Sequence, residues 1–478
     1  MKILIVGGGF AGLKLARALS NKRGIEVLLI DRFNYHQFQP LFYQVATAAL
    51  DASNISFPLR KVFQGSRNIR FRLAELQQIH SGRNAITTDI GEFSYDVLVI
   101  ATGADTNWFG NNKLKEAAFP MKSTVEALQL RHRLIENFEQ AVITTDARER
   151  EALMTIVVVG GGPTGVEVSG ALAELRNHTL CKDYPELDFS QMKIYLLEGA
   201  GKTLAVMSEK SSRQSQEYLQ RLRVDVKLNS IVKDYDRENV VLQDGTVIRS
   251  RTVIWAAGVT GNLPKGIDPS LVVRGNRIKV DRFNKVAGTQ NIYAIGDIAY
   301  METPLYPKGH PQLANVAINQ GKNLAENLIR LSRHEGTWKE FEYKDKGSMA
   351  TVGRHLAVVD IPKPKWHFGG FLAWMVWMGL HLLLILGVKN RIQIFINWVY
   401  NYFTWDQSLR LLIRNSYRPL SKEKPAGNLA EPATDQPRLP QAGQDGGVQD
   451  DRPQIPGGRA SGHPGIGQGT AENKTSRH

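Results

Sequence analysis

The sequence predicts an α/β protein: two Rossmann-like dinucleotide-binding domains followed by helices that lie on a membrane surface. Three observations carry that expectation. Apolar runs at 3–6 and 156–159 each lead into a G-x-G-x-x-G loop, Gly7-Gly8-Gly9-Phe10-Ala11-Gly12 and Gly160-Gly161-Gly162-Pro163-Thr164-Gly165. Each loop is followed by a second apolar run that ends in an acid, Asp31 and Glu198. Residues 366–418 then hold five of the eight tryptophans, around a long uncharged stretch.

In chain order, residues 2–31 read as strand, glycine loop, helix and strand. Strand-like runs return at 96–101, 155–159, 194–198, 252–256 and 291–295, the last just before Gly296-Asp297. Residues 177–191 read as an insertion between the second helix and its strand. From 311 to 331, Leu313, Val316, Ala317, Leu324, Leu328 and Leu331 recur mostly three or four apart, a helical period.

Each loop has the same physical logic. The first glycine (Gly7, Gly160) permits a tight turn, and the second (Gly9, Gly162) lets the backbone approach a pyrophosphate. The third (Gly12, Gly165) lets helix pack on strand, and the helix N-terminus offers free N–H groups to phosphate. A lone loop of this kind is weak evidence, but both copies follow apolar strands, as the motif requires. Asp31 lies 19 residues after Gly12, close to the roughly 20 expected for a ribose-binding carboxylate. Glu198 lies 33 residues after Gly165, which leaves it either a ribose acceptor or a solvated strand-end acid. As an acceptor it would repel a 2′-phosphate, favouring NADH over NADPH. Glu167, in the first turn of the second helix, is either an acid favoured by the helix N-terminus or a carboxylate facing the reacting rings.

The chain carries a formal charge of +14. Residues 421–478 hold seven basic and seven acidic residues, so the body carries the whole excess. Such a charge favours an anionic partner. No nucleic-acid motif is present, which leaves an anionic membrane surface as the stronger expectation. Cys181 is the only cysteine, so no intrachain disulfide or dithiol relay can form. A reducing cytosolic setting follows, and no signal peptide is expected before the strand at Lys2. The tail is rich in Pro, Gly and Gln, lacks Phe, Trp and Tyr, and is expected to be disordered.

Residues 368–388 are 21 residues without formal charge, His381 being the one ionisable group. That length could span a bilayer, yet Trp374 and Trp377 sit inside it and basic residues flank both ends. Phe395, Trp398, Tyr402 and Trp405 follow at helical spacing, then Arg410, Arg414 and Arg418. This pattern fits an amphipathic helix on a membrane surface; a homodimer interface or a core helix is the alternative.

With these motifs in place, the chain resembles the type II NADH dehydrogenases, single-subunit NADH:quinone oxidoreductases that do not pump protons. The resemblance covers roughly residues 1–415. It rests on both glycine loops, the F-Q-P-L-F-Y-Q-V-A-T string within 34–47, the A-T-G stretch at 101–103, Trp255–Val259 with Gly258, Gly296-Asp297 and Lys346–Ala350. It implies a two-dinucleotide-binding flavoprotein fold. FAD would sit tightly at the first loop with Asp31, Thr102, Gly103, Gly296 and Asp297, and NADH would bind as substrate at the second. Glu167 and Lys346 would be catalytic. A membrane quinone would meet Asn315, Asn319 and Gln320, where the family's A-Q-x-A-x-Q helix has become Ala314-Asn315-Val316-Ala317-Ile318-Asn319.

The resemblance divides the chain into 1–115 and 266–345 for FAD, 116–265 for NADH, 346–420 for membrane association and quinone access, and the tail. It places the protein on the cytoplasmic face of the bacterial inner membrane as a peripheral or monotopic enzyme. The alternatives are a flavin reductase with a soluble acceptor and a low-turnover membrane redox sensor.

Overall fold

The computed structural model describes residues 1–413; the expected disordered tail at 421–478, together with Arg414 and Arg418, lies outside the described residues. β1 (Lys2–Val6) leads through the first glycine loop into α1 (Phe10–Leu19) and on to β2 (Glu26–Asp31). β1 pairs in parallel with β2 on one side and with Val97–Ile100 on the other. Ile69–Leu73 and Ile292–Ala294 complete five parallel strands. Ile3, Leu4 and Ile5 are fully buried. A parallel sheet covered on both faces demands such continuous apolar runs, which made the strand readable. The short helix α2 (Phe42–Ala46) follows, all five of its residues buried.

The second sheet repeats the pattern. β3 (Thr155–Val159) enters α3 (Pro163–Leu175), and β4 (Lys193–Leu197) returns beside β3. Thr252–Trp255 and Phe119–Pro120 extend the sheet on one side and Asp225–Lys227 on the other. The expected insertion after α3 is in part more helix. Helical turns run on through Arg176–Leu180 and Cys181–Asp183, which lengthens the spacing to Glu198.

α4 (Ala314–Ser332) starts three residues later than the periodicity suggested and packs on α1. Gly321 permits that approach: a Cβ there would come within 2.5 Å of Ala11 O. β5 (Ser348–Gly353) then opens a three-stranded antiparallel sheet with Leu356–Ile361 and Trp366–Gly369. β5 lies directly on α3. Gly170 of α3 has no Cβ, and one placed there would overlap Val352 O.

Residues 368–388 are not one span. Phe368 belongs to a strand, and the apolar run divides into α5 (Phe371–Leu384) and α6 (Val388–Thr404), broken at Gly387 with φ +81°. The 14 residues of α5 reach about 21 Å, short of the roughly 30 Å of a hydrocarbon core. No helix among the described residues is long and apolar enough to cross a membrane. The inner tryptophans anchor the helices to the body. Trp377 and Trp398 are 2% and 8% exposed with ring centroids 5.5 Å apart, and Trp398 Nε1 donates to Gln44 Oε1 at 2.8 Å. Phe371, Leu372, Leu383, Val388, Phe395 and Phe403 point outward, between 47% and 77% exposed. Arg410 does not continue the helical stripe. The chain leaves helix at Thr404, and Arg410 pairs with Asp183 and Asp406.

Candidate active site

A cavity of about 1070 Å³ runs from the first glycine loop to α5. Gly7, Gly9, Asp31, Thr102, Gly103, Gly296 and Asp297 line it at the first loop, and Thr164 and Glu167 line it from α3. Leu380, His381 and Leu384 close the end against α5.

The two loops are built alike. Gly7 and Gly160 have φ of +112° and +108°, and a Cβ on Gly12 or Gly165 would overlap the carbonyl of Gly7 or Gly160. Nothing stands within 4 Å of a Cβ on Gly9 or Gly162, so the loops keep open space where a phosphate would approach. Asp31 accepts from Gly8 N at 2.5 Å and Phe33 N at 2.7 Å; Glu198 accepts from Gly161 N and from Ala200 N at 2.7 Å. Each strand-end acid therefore locks the middle glycine of its loop, which explains the acid beyond any ribose contact. Burial raises the Asp31 pKa against the pull of those two N–H donors. His36, missed in the sequence, steadies the first loop from the other side. Burial lowers its pKa to about 4, so the neutral ring donates from Nδ1 to Gly8 O at 2.9 Å.

The other expected cofactor residues divide by role. Asp297 lines the cavity; burial raises its pKa, with Lys122 and Arg277 opposing. Thr102 Oγ1 is engaged on Asn262 O at 2.8 Å, so that side chain ties loop to loop. Gly103 turns the chain at φ +70°. Gly258 has φ +156° and its carbonyl accepts from Asn107 N, but it does not line the large cavity.

Glu167 is 9% exposed on α3, and desolvation raises its pKa to about 8. Thr351 N of β5 lies 3.5 Å from Oε1, a weak contact. The structure does not gather Lys346 with the three residues expected on the quinone side. Asn315 lines the cavity, but Asn319 Nδ2 donates to Asn315 O within α4. Gln320 is 1% exposed and accepts from Gly296 N at 2.7 Å, holding the Gly296-Asp297 turn instead of facing an open channel. Lys346 is exposed; its neighbours Gly347, Ser348 and Met349 line the cavity and it does not.

Sequence reasoning also missed Glu174, Tyr43, Gln44 and Arg354, which surround a second, smaller cavity against Glu167. Glu174 stands seven residues after Glu167 on one helix, a spacing that puts both on the same face. That spacing was the available signal.

Two parallel sheets carrying paired glycine loops, one cavity and no thiol near it define a two-dinucleotide oxidoreductase. A family model described as pyridine nucleotide-disulphide oxidoreductase matches residues 1–321, and an NDH2 C-terminal domain model matches 346–404. The chain is 35% identical over 421 residues to the type II NADH:quinone oxidoreductase Ndh of Mycobacterium tuberculosis, covering 84% of this chain and 88% of that protein. It is 30% identical to the Staphylococcus aureus type II NADH:quinone oxidoreductase over 74% of this chain and 88% of that one. A structure of NDH2 from Plasmodium falciparum in complex with NADH superposes with TM-score 0.79 at 22% identity, covering 86% of this chain and 99% of that one. The chain belongs to the type II NADH:quinone oxidoreductases. It oxidises NADH and reduces a quinone, and its class uses a flavin.

The residues fit that flavin. The Gly7–Gly9 turn, the open face of Gly9 and the Asp31 and Asp297 carboxyls line one cavity deep enough for a dinucleotide.

Proposed function

We propose that the flavin is FAD, held at the first loop with Asp31 and Asp297, and that NADH binds at the second with Glu198 beside its adenosine ribose. Held there, the flavin would supply the chemistry that links a hydride donor, NADH, to a quinone acceptor. The protein's part is orientation and proton handling. The glycine loops and helix N-termini hold pyrophosphates. Glu167 holds a proton at its carboxyl at neutral pH and lines the cavity, where it can donate to a quinone oxygen.

We further propose that the quinone is a membrane quinone arriving past Leu380 and Leu384 of α5. The observation that carries this is the continuity of the large cavity with a helix whose outer face is apolar. That face, with the basic charge of the body, suits an anionic membrane surface and a monotopic attachment on the cytoplasmic face. Nucleic acid has no part in this reading, and a homodimer is compatible with it. Asn315 is the remaining candidate for a polar contact to quinone, and Lys346 acts, if at all, from the rim.

The test is flotation with anionic liposomes using Leu383→Glu with Phe403→Glu. The variant is expected to lose liposome binding and to lose turnover of a long-tailed quinone far more than that of a short-tailed one. Equal turnover of both quinones in variant and wild type would refute membrane delivery.

A further inference from the structure

Quinol formation leaves one proton to be found. NADH supplies a hydride, which carries both electrons and one hydrogen; the quinol carries two hydrogens on oxygen. The balance is NADH + quinone + H⁺ → NAD⁺ + quinol, and the extra proton must come from solvent to Glu167, whose carboxyl is buried.

We infer that the small cavity behind Glu167 is the proton inlet for quinone reduction, with Glu174 receiving protons from solvent and relaying them through water to Glu167. This rests on the proposed role of Glu167 as proton donor.

The geometry is specific. The cavity holds about 100 Å³, and Tyr43 and Glu167 line both it and the large cavity, so they form the wall between them. That space fits about three waters at roughly 30 Å³ each. Glu167 and Glu174 stand two turns apart on one face of α3, about 10 Å along the axis, a gap that two or three waters bridge. Glu174 is the more exposed of the two, half-buried where Glu167 is buried. Gly353 lets the chain close over Glu174, since a Cβ there would lie 2.7 Å from Oε1, and Arg354 N donates to the same oxygen.

The cavity also has unanswered polar atoms. Arg354 Nε and Nη1 and Gln407 Oε1 are buried without a protein partner, and both residues line it. Trp377 Nε1 faces Glu167 and pulls its pKa down, yet it does not meet hydrogen-bond geometry and is likewise unpartnered. Donors and an acceptor left so carry the full cost of their desolvation unless water answers them. They extend from Gln407, beyond the end of α6, to Trp377 beside Glu167. Arg354 is fixed over Tyr402 and Trp405 at 4.3 and 3.8 Å from the ring centroids, so it keeps its guanidinium at the cavity without neutralising Glu174 through a direct ion pair.

Burial raises Glu174 to about 7 and Glu167 to about 8. Both carboxyls can therefore carry a proton near neutral pH. Tyr43 on α2 and Arg354 after β5 face the pair, Tyr402 on α6 lines the same cavity, and His355 and His178 stand around Arg354.

The test compares Glu174→Gln with wild type in two reactions on the holoenzyme. Ferricyanide accepts electrons without protons; quinone needs both. Glu174→Gln, which keeps an acceptor for Arg354 N, is expected to lower quinone turnover about ten-fold more than ferricyanide turnover. Glu174→Asp is expected to recover most of the loss, because water spans one missing methylene. Infrared difference spectra between acid and alkaline buffer are expected to lose one carboxyl band in Glu174→Gln. Gln407→Leu, outside the helices, gives a second and milder version of the same split. An equal loss in both reactions, or no loss with quinone, overturns the inlet. If Glu167→Gln itself leaves quinone turnover intact, the donor role of Glu167 falls; if it slows quinone while Glu174→Gln does not, the inlet alone falls.

Discussion

Replacing Glu167 by Gln makes the cost of its burial measurable as a change of stability with pH. Desolvation raises the carboxyl from its ordinary 4.5 to about 8. Between those values the folded chain holds a proton that the unfolded chain has released, so stability falls as pH rises and the loss is complete above about 8. At about 1.4 kcal/mol per pH unit the whole effect is roughly 4–5 kcal/mol. Glutamine has no charge to bury and loses nothing across this window. A flavin ring beside the carboxyl would exclude further water and push in the same direction. For a body of 413 described residues, 1 kcal/mol moves Tm by about 1 °C. Melting followed by tryptophan fluorescence should therefore show Glu167→Gln gaining about 4 °C on wild type between about pH 5 and about pH 9. A constant difference between the two proteins at both pH values would refute the burial argument, and a relative loss for the variant at alkaline pH would reverse it.

Three further outcomes follow from the same geometry. Gly165→Ala forces a Cβ onto Gly160 O and should raise the KM for NADH roughly 100-fold while flavin content, read by absorbance, stays near wild type. Glu198→Gln removes the charge expected to repel a 2′-phosphate and should shift kcat/KM toward NADPH by about ten-fold, near 1.4 kcal/mol. Trp398→Phe leaves Gln44 Oε1 without its indole donor and should lower stability by about 1–3 kcal/mol, seen as a lower Tm.

Much of this fold could be read from sequence because its strands are buried on both faces. The runs at 3–6 and 156–159 had to be apolar throughout, and the glycines after them answer steric demands that no other residue meets. Asp31 and Glu198 were legible as strand-end acids, though their bonds to Gly8 and Gly161 were not, because those bonds depend on how each loop folds back. The break in the apolar run at 368–388 was not legible because composition does not reveal it: α5 ends at Leu384 and α6 begins after Gly387, whose positive φ the run itself does not announce. The bond from Gly296 N to Gln320 was not legible for a related reason, since helical periodicity does not name such a partner. The Glu167–Glu174 cavity needs β5, α2 and α6 together, residues more than 300 apart in the chain, and no local pattern encodes that meeting.

The central claim is that electrons pass from NADH to quinone through a bound flavin with no thiol between them. Stopped-flow absorbance on the purified holoenzyme tests it most directly, with wild type beside Cys181→Ala, since Cys181 is exposed and is the chain's only cysteine. The account predicts that NADH bleaches the flavin, that quinone restores it, and that both rates are the same in the two proteins. Failure of quinone to restore the absorbance, or loss of either phase in Cys181→Ala, would contradict it.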